Sequence, residues 1–284
     1  MNRQKTYEKE NSKLYLVATP IGNIEDITYR AVRILKDVDL IYCEDTRTSF
    51  QLLNHYNITT KLKSVHLFNE NEISDDIVDK VIKGQNIALI SDAGMPIISD
   101  PGWVVVREAI KQNVDVVVVP GPSAGISALI ASGITAHPYY FAGFLNSKSG
   151  KRKQELKELY IREETIVLYE SPHRIKETLE MIDELYGDRP ICLARELTKK
   201  YEEYLRGTAS EILEVVDSLK GEMVLIIAGN PNPKSDVQLK LNDLTIEEHY
   251  NHYINKGIDS KTAMSKVAED RNASKKEIYK VIKK

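Results

Sequence analysis

Residues 86–102 read NIALISDAGMPIISDPG, and this stretch decides the fold. An apolar run at residues 86–90 ends abruptly in a segment of Gly, Pro and acidic residues. A short apolar run bounded by turn residues is typical of a buried strand. The carboxyl ends of strands are where open α/β sheets bind ligands. The stretch therefore predicts a buried strand followed by a candidate ligand-binding loop.

The same unit recurs on both sides of this stretch. Apolar runs alternate with amphipathic stretches of helical length, and this βαβα rhythm predicts an α/β fold with a largely parallel sheet. Residues 201–206 follow the preceding strand too closely for a crossover helix, so we expect them to pair antiparallel. The predicted strands lie at residues 14–18, 40–43, 62–67, 86–90, 114–119, 139–142, 165–169, 191–195, 201–206 and 223–228.

Turn-forming residues divide the chain. Pro120-Gly121-Pro122 interrupts the series of strands, and residues 230–236 have the composition of a linker. Beyond the linker, Thr245 with Glu248 and Ser274 with Glu277 have the spacing of capping boxes, and Gly257 fits a helix C-cap. We predict a flexible tail at residues 1–12, an N-terminal α/β domain at 13–121, a C-terminal α/β domain at 122–231 and a helical, helix-turn-helix-like extension at 240–284.

Composition excludes several classes of protein. The 284 residues are 42% hydrophobic and 29% charged, values typical of globular chains and not of disordered or collagenous ones. The net charge of −3 argues against a uniformly basic nucleic-acid binder, but local basic patches remain compatible with it. Cys43 and Cys192 stand in separate apolar runs, which predicts buried free thiols in a reducing cytosol. No apolar run approaches the ~20 residues of a membrane helix, so we expect a soluble, cytoplasmic protein without a membrane partner.

Loops rich in small residues follow several predicted strands. Neither G-x-G-x-x-G nor a P-loop occurs, which removes the usual signature of a dinucleotide dehydrogenase or a P-loop kinase. Small side chains allow a ligand to approach the backbone, and Asp92 offers an acceptor to a ribose or amino group. Simple turns remain an equally good explanation. The small residues concerned are Ala93, Gly94, Gly121, Ser123 and Ala124.

A polar group of residues follows two strands of the predicted C-terminal domain. Adjacent strand ends would bring a carboxylate, a histidine and several cations together, which can hold a phosphate backbone and assist proton removal. A structural network of ion pairs is the alternative, and His173 could equally cap the following helix. The residues are Glu170, His173, Arg174, Arg195, Glu196, Thr198, Lys199 and Lys200.

Two basic segments have the composition of phosphate-binding surfaces. Residues 146–153 contain Lys148, Lys151, Arg152 and Lys153 without an acid. A solvated surface is the alternative for this segment and for the last predicted helix. That helix contributes Lys275, Lys276 and Lys280. The six histidines are scattered and no Cys or His pair has ligand spacing, so we expect no metal site.

Seven motifs occur in a characteristic order: TPIGN at 19–23, EDTR at 44–47, SDAGMPIISDPG at 91–102, PGPSA at 120–124, YESPHR at 169–174, ARELTK at 194–199 and GEMVLII at 221–227. Together they closely resemble the rRNA-methylating branch of the tetrapyrrole methylase (class III methyltransferase) superfamily, over residues 13–230. The branch that methylates tetrapyrroles typically carries G-x-G-P-G-D after the first strand. TPIGN at that position favours the rRNA branch.

The resemblance implies a two-domain tetrapyrrole methylase fold with S-adenosyl-L-methionine in the cleft between the domains, and a homodimer. It implies transfer of a methyl group to the ribose 2′-hydroxyl of a decoding-region cytidine in 16S rRNA of the small ribosomal subunit. Met95 replaces the family's usual Thr, which removes a hydroxyl group from the pocket. The cofactor residues that it implies are Pro20, Ser91, Asp92, Ala93, Gly94, Met95, Pro96, Ser123, Ala124, Tyr169, Ala194 and Met223.

The motifs YESPHR and RELTK distinguish the rRNA branch from the rest of the superfamily. The resemblance therefore implies that their polar residues face the RNA: Glu170, His173, Arg174, Arg195, Glu196 and Lys199. An activated sulfonium donor leaves the protein mainly the tasks of alignment and of easing proton loss. Our working hypothesis takes Glu170 as the base, with Lys199 or Arg195 as electrostatic support.

Two other functions remain open from the sequence. A tetrapyrrole (precorrin-type) methyltransferase would share the fold but would need no extended cationic surface. A non-catalytic RNA-binding assembly factor would bind RNA without the cofactor.

Overall fold

A computed structural model describes residues 1, 3–6, 8, 10–65, 70–231, 241, 244–271 and 273–283. The chain divides into two compact units. The first contains residues 1–155 and 164–228, and the second contains residues 156–163 and 229–284.

The first sheet is entirely parallel, as the alternation of strands and helices predicts. Its strand order is β3-β2-β4-β1-β5. The strands are β1 (Lys13–Val17), β2 (Leu40–Cys43), β3 (Leu62–Ser64), β4 (Ile87–Ile90) and β5 (Asp115–Val119). Residues 66 and 67 of the predicted third strand lie outside the described residues.

Helices cover both faces of this sheet, which explains why its central strands are apolar on both sides. Leu35 and Leu53 pack on one face, whereas Ile77 and Val105 pack on the other. Thr28 and Asp45 cap two of these helices, because their side chains accept hydrogen bonds from the N–H groups of Ala31 and Arg47. The helices are α1 (Tyr29–Asp37), α2 (Thr46–His55), α3 (Glu70–Ile82) and α4 (Trp103–Lys111).

The second sheet is mixed, with the order β6-β7-β10-β8-β9. β6 is parallel to β7, β10 is antiparallel to both β7 and β8, and β9 is antiparallel to β8, which confirms the predicted antiparallel pairing of the 201–206 segment. The strands are β6 (Tyr139–Phe144), β7 (Thr165–Glu170), β8 (Ile191–Arg195), β9 (Glu203–Gly207) and β10 (Met223–Ile227). The helices are α5 (Ala124–Ala131), α6 (Ser149–Leu159), α7 (Ile175–Tyr186) and α8 (Ala209–Leu213).

The expectation that β7 and β8 are neighbours is wrong, because β10 lies between them. Their ends nevertheless meet at one edge of the sheet. Met223 begins β10 in register with Glu170 at the end of β7 and with Arg195 at the end of β8. An antiparallel strand starts where its parallel neighbours end, so all three positions lie at the same edge.

Part of the predicted flexible tail contacts the first sheet. The side-chain amide of Gln4 donates to the carbonyl of Val116 at 2.9 Å and accepts from its N–H at 3.1 Å, in the manner of an additional strand. Asn11 donates to Asp115 at 3.0 Å. The two Gln4 bonds use backbone groups on an edge strand that would otherwise face solvent.

The second unit contains three short helices, α9 (Ile246–Asn255), α10 (Ser260–Asp270) and α11 (Lys275–Ile282). Both predicted capping boxes form, at Thr245 with Glu248 and at Ser274 with Glu277. Gly257 has a φ of 79° just beyond the first of these helices, which confirms the expected C-cap. Residues 232–236 of the predicted linker lie outside the described residues.

A buried polar network stabilises the second unit. Asp270 accepts hydrogen bonds from Tyr253 at 2.5 Å and from Nε2 of His249 at 3.1 Å. Nε of Arg271 donates to Nδ1 of His249 at 3.0 Å, so this nitrogen carries no proton. Burial lowers the pKa of His249 and outweighs the attraction of Asp270. His249 is therefore neutral, and each of its two nitrogens has a partner.

Candidate active site

A cavity of about 400 Å³ opens at the carboxyl ends of the strands of the first unit. Ile21 follows β1, Glu44 follows β2, Asp92 follows β4 and Ser123 follows β5, and all of them line it. The volume lies in the range of ordinary small-molecule sites. From the second sheet, the cavity receives Tyr169 and Glu170 of β7, Leu197 after β8, and Met223 and Val224 of β10.

Most of the predicted cofactor residues line this cavity. They are Asp92, Ala93, Gly94, Met95, Ser123, Ala124, Tyr169 and Met223. Pro20, Ser91, Pro96 and Ala194 do not line it. Ser91 is buried and donates its hydroxyl proton to the carbonyl of Gly94 at 2.9 Å, and Ala194 is fully buried in the core of the second sheet. The side chains of Ser91 and Ala194 are thus turned away from the cavity, and their contact with the cofactor stays a prediction.

Hydrogen bonds hold the loop after β4 against the loop after β1. Thr19 and Gly94 exchange backbone bonds of 2.9 and 3.1 Å, and the hydroxyl of Thr19 donates to the carbonyl of Ser91 at 3.1 Å. Gly94 has a φ of 80°, and a Cβ there would lie 3.3 Å from Cγ2 of Ile21. Position 94 thus combines a left-handed backbone with a crowded wall, and glycine satisfies both conditions.

The cavity is strongly acidic. Five carboxylates line it, and no Lys, Arg or His is found among the described lining residues. Two of the five face cations outside the lining, since Glu170 pairs with Arg174 and Glu222 pairs with Lys199. The other three are Glu44, Asp92 and Asp100.

Asp100 has the most perturbed acidity in the cavity. Burial, the nearby carboxylates of Glu44 and Asp92, and a hydrogen bond with Glu44 raise its pKa from 3.8 to about 7. Burial also raises the pKa of Tyr169, with a further contribution from the charge of Asp100. Asp100 is therefore a carboxyl group that changes its charge near neutral pH.

Glu170 is placed to hold the loop after β7. Its carboxylate is buried and accepts from the hydroxyl of Thr178 at 2.6 Å, from the N–H of Ser171 at 2.8 Å and from Nη2 of Arg174 at 3.3 Å. Arg174 also donates to the carbonyl of Leu145 at 2.9 Å. The oxygens of Glu170 are committed to these partners, so the geometry supports a positioning role instead of the predicted role of base.

Lys199 and Arg195 do not line the cavity. Lys199 bonds to Glu196 at 3.0 Å and to Glu222 at 2.8 Å, while Arg195 bonds to Glu203 at 2.5 Å. Glu196 has a left-handed φ of 50°, and burial alone would raise its pKa. Hydrogen bonds from Lys199 and from a backbone N–H lower it instead. The alternative of a structural ion-pair network therefore describes this group of residues.

The predicted RNA-contacting residues differ in accessibility. Lys148, Lys151 and His173 are exposed, as are Lys275, Lys276 and Lys280 on α11, whereas Lys153 bonds to Glu184 at 2.6 Å. Arg152 is only 1% exposed and pairs with Glu177. A buried guanidinium cannot reach a phosphate, so the assignment of Arg152 to an RNA surface is wrong.

Sequence reasoning missed several cavity residues, Glu44 and Asp100 among them. Both stand in motifs that were identified, EDTR and SDAGMPIISDPG, but no local spacing joins residues so far apart in the chain. Phe144 at the end of β6 also lines the cavity, is 56% exposed and packs edge-on against Tyr169 with 5.4 Å between ring centroids.

Two kinds of feature are absent from the part of the chain that the structure describes. There, no three His, Cys, Asp or Glu side chains are arranged to hold a metal ion. Nor does any helix of the described ranges have the length and apolar character needed to span a bilayer. Both cysteines are buried and free, as predicted.

The model of the family described as Tetrapyrrole (Corrin/Porphyrin) Methylases matches residues 13–213. The chain belongs to this methylase family. The match contains every strand except β10, and it includes the loops that carry Glu44, Asp92 and Asp100.

The methylase also has similar relatives over nearly its whole length, each of them a ribosomal RNA small subunit methyltransferase I. It is 48% identical over 269 residues to that of Bacillus subtilis (strain 168), covering 94% of this chain and 92% of the relative. It is 44% identical to that of Halalkalibacterium halodurans, covering 99% of both chains. For the protein of Vibrio cholerae serotype O1 the identity is 42%, with 99% of this chain and 97% of the relative covered.

Solved structures share the fold of the methylase. Diphthine synthase aligns with a TM-score of 0.60 at 12% identity, covering 76% of this chain and 90% of that one. Uroporphyrin-III-C-methyltransferase from Thermus thermophilus aligns with a TM-score of 0.56 at 18% identity, covering 77% and 94%. Identities this low establish the fold alone.

Proposed function

We propose that this methylase transfers a methyl group from S-adenosyl-L-methionine to the ribose 2′-hydroxyl of a decoding-region cytidine in 16S rRNA. The observation that carries the proposal is 44% identity to an rRNA small subunit methyltransferase I across 99% of both chains. The family model ends at residue 213, so this similarity extends beyond it into the helical unit.

The chemistry of the cavity fits this cofactor. S-adenosyl-L-methionine carries a sulfonium and an ammonium group against one carboxylate, so it has a net positive charge. A cavity with Glu44, Asp92 and Asp100 on one wall complements such a ligand and repels a nucleotide phosphate. Small residues at Ala93, Gly94 and Ala124 leave backbone groups accessible, and Met223 and Val224 offer an apolar surface to a ring.

When bound, the cofactor supplies an activated methyl group, which leaves alignment and proton removal to the protein. Asp92 is oriented for this site because its Oδ1 accepts from the N–H of Asp45 at 3.0 Å. Ser123 precedes the first turn of α5, where backbone N–H groups can meet a carboxylate. Phe144 presents an exposed ring at the mouth, suitable for stacking on a nucleobase.

Exposed cations supply the surface that an RNA substrate requires. Lys148 directly precedes α6 and Lys151 lies in its first turn, and Lys275, Lys276 and Lys280 lie on α11 with Tyr279, which is 55% exposed. Lysines neutralise phosphates, and an exposed aromatic ring can stack on an unpaired base. These features support the rRNA substrate.

The two competing functions make different predictions. A tetrapyrrole methyltransferase would bind the cofactor but would gain nothing from the cations of α6 and α11. A non-catalytic RNA-binding factor would have no use for an acidic cavity lined by small residues. The acidic cavity and the basic surfaces together favour an enzyme that acts on RNA.

Methyl transfer from labelled S-adenosyl-L-methionine tests the proposal. The substrates are small ribosomal subunits that lack the modification and free 16S rRNA, with the modified ribose mapped afterwards. We expect label on a single decoding-region cytidine. No label on either RNA, with cofactor binding intact in a calorimetric titration, would refute the rRNA substrate and favour a small-molecule acceptor.

Three further features belong to the proposal. A division at residue 121 would give each α/β domain one sheet, since β1–β5 lie within 13–119 and β6–β10 within 139–227. A homodimer is supported by exposed apolar side chains, among them Ile126 and Ile130 on α5 and Tyr139 on the edge strand β6. Analytical ultracentrifugation tests the dimer. The proposed ribosomal substrate supports a cytoplasmic location.

A further inference from the structure

The loop between β4 and α4 contains an unusual concentration of left-handed backbone. Ile97 has a φ of 78°, Ser99 of 69° and Gly102 of 130°. A β-branched residue such as isoleucine rarely adopts this conformation. Residues in disfavoured conformations persist only where the surroundings impose them, and they cluster at functional sites. Contacts with surrounding residues must therefore hold the backbone of residues 97–102 in this conformation.

Part of that constraint comes from Glu70. This side chain is 5% exposed, and its Oε1 accepts hydrogen bonds from the N–H of Gly102 at 2.9 Å and of Val104 at 2.7 Å. Bonds from N–H groups to a carboxylate are among the stronger hydrogen bonds in proteins. Glu70, the first residue of α3, thus anchors the end of the loop and the start of α4 to α3.

The constrained loop presents Asp100 to the cavity. Ile98, Ser99 and Asp100 all line it. The titratable groups coupled to Asp100 are Glu44 after β2, Asp92 after β4 and Tyr169 on β7.

The other cavity carboxylates have partners. Glu170 bonds to Arg174, Thr178 and a backbone N–H, and Glu222 bonds to Lys199. Asp92 accepts from a backbone N–H. The hydrogen-bond partner of Asp100 is another carboxyl group, that of Glu44, and such a pair readily holds or gives up a proton.

We propose that Asp100 is the base that accepts the proton of the ribose 2′-hydroxyl during methyl transfer. The inference rests on the proposed function. In this step the bond between O2′ and the methyl carbon forms while the bond between that carbon and sulfur breaks. The O2′ proton passes to a carboxylate oxygen of Asp100, and the sulfonium becomes a neutral thioether.

The electrostatics of the cavity suit this role. A pKa of about 7 leaves Asp100 divided between its two forms at neutral pH, and this value is close to the optimum for a general base. A sulfonium in the cavity favours the ionised form, since an opposite charge lowers the pKa of a carboxyl group. Loss of that charge on methyl transfer makes Asp100 more basic as the proton leaves O2′.

The kinetic test compares Asp100→Asn, Glu44→Gln and the control Asp79→Asn, which alters an exposed carboxylate on α3. Single-turnover methylation by the wild-type protein should rise with pH and level off above an inflection. Asp100→Asn should lose 10²–10⁴-fold in rate, roughly the contribution of a general base, and should lose the inflection. Glu44→Gln should move the inflection to lower pH because it removes a like charge. Asp79→Asn should match the wild type.

A second readout needs no RNA. Titration of the protein with S-adenosyl-L-methionine at pH 7, in buffers of different ionisation enthalpy, counts the protons released on binding. The wild-type protein should release about half a proton, since Asp100 is partly protonated before binding. Asp100→Asn should still bind the cofactor but release none through this group.

The outcomes separate the inference from the proposed function. A wild-type rate in Asp100→Asn would overturn the inference and leave the methyltransferase intact. So would a slow Asp100→Asn variant that keeps the wild-type pH profile and proton release, because the residue would then be structural. If the wild-type protein itself methylates no RNA, the proposed function fails, and this role of Asp100 fails with it.

Discussion

Asp100→Asn is expected to stabilise the first unit while slowing methyl transfer about 10²–10⁴-fold. The folded state raises the pKa of Asp100 from 3.8 to about 7. At about 1.4 kcal/mol for each tenfold change in the dissociation constant, the full difference corresponds to about 4 kcal/mol of unfolding free energy. Asp100 is only half-buried, and solvent screening reduces this figure, so we expect a gain of about 2 kcal/mol.

The size of this gain depends on pH. Below about pH 4 the carboxyl group is protonated in both folded and unfolded chains, and the substitution should change little. Between about pH 4 and pH 7 the unfolded chain loses its proton first, so the wild-type protein loses stability as the pH rises. The gain from Asp100→Asn should therefore appear over this interval and remain constant above it.

Trp103 provides the assay, because it is the only tryptophan in the chain and directly follows the loop that carries Asp100. Urea unfolding followed by its fluorescence at pH 4.5 and pH 8 reports on the first unit. Asp79→Asn controls for the loss of an exposed carboxylate. A variant that is less stable than the wild type at pH 8, or one whose gain is equal at both pH values, would refute the electrostatic argument.

Three further predictions concern other parts of the chain. Glu70→Ala should cost about 3 kcal/mol by the same fluorescence assay, because two N–H groups lose a charged acceptor; a loss below about 1 kcal/mol would contradict the anchoring role. Acid should destabilise the second unit as the pH falls below about 6.5, because unfolded His249 takes up a proton that the folded chain resists; circular dichroism melts should lose this dependence in His249→Gln. Joint replacement of Lys148 and Lys151 by alanine should lower the salt dependence of RNA affinity by a slope of about 1.5, whereas Arg152→Met should leave it unchanged.

The strands of the first sheet and their parallel direction could be predicted, because these signals are local. A buried parallel strand is apolar along its whole length, as in residues 87–90, and crossover helices between strands imply parallel pairing. The order of the strands was not predicted. The second sheet could not be predicted in the same way. The position of β10 between β7 and β8 depends on pairing between residues far apart in sequence, and its apolar run has the same appearance in either direction.

The same contrast between local and long-range signals applies to the residues of the candidate site. The part around Ala93, Gly94 and Ala124 could be identified from the sequence. Small residues directly after a strand indicate a place where a ligand can approach the backbone, and this signal is local. The role of Glu170 could not, since a carboxylate after a strand looks the same whether it faces a substrate or a threonine one turn into the next helix. Its contact with Thr178 is what distinguishes the two cases.

Charge is separated within the first unit in a way that suits methyl transfer to a hydroxyl group. The cations Arg174, Arg195 and Lys199 are held by carboxylates, so none of them offers a free positive charge next to the reacting atoms. A cation there would compete with a sulfonium for the acidic wall. Asp100, which is hydrogen-bonded to Glu44, can instead release or take up one proton as the charge of the proposed cofactor changes. On the proposed function, we expect such a cavity to hold a cationic donor more tightly than its neutral product, which would couple the chemical step to product release.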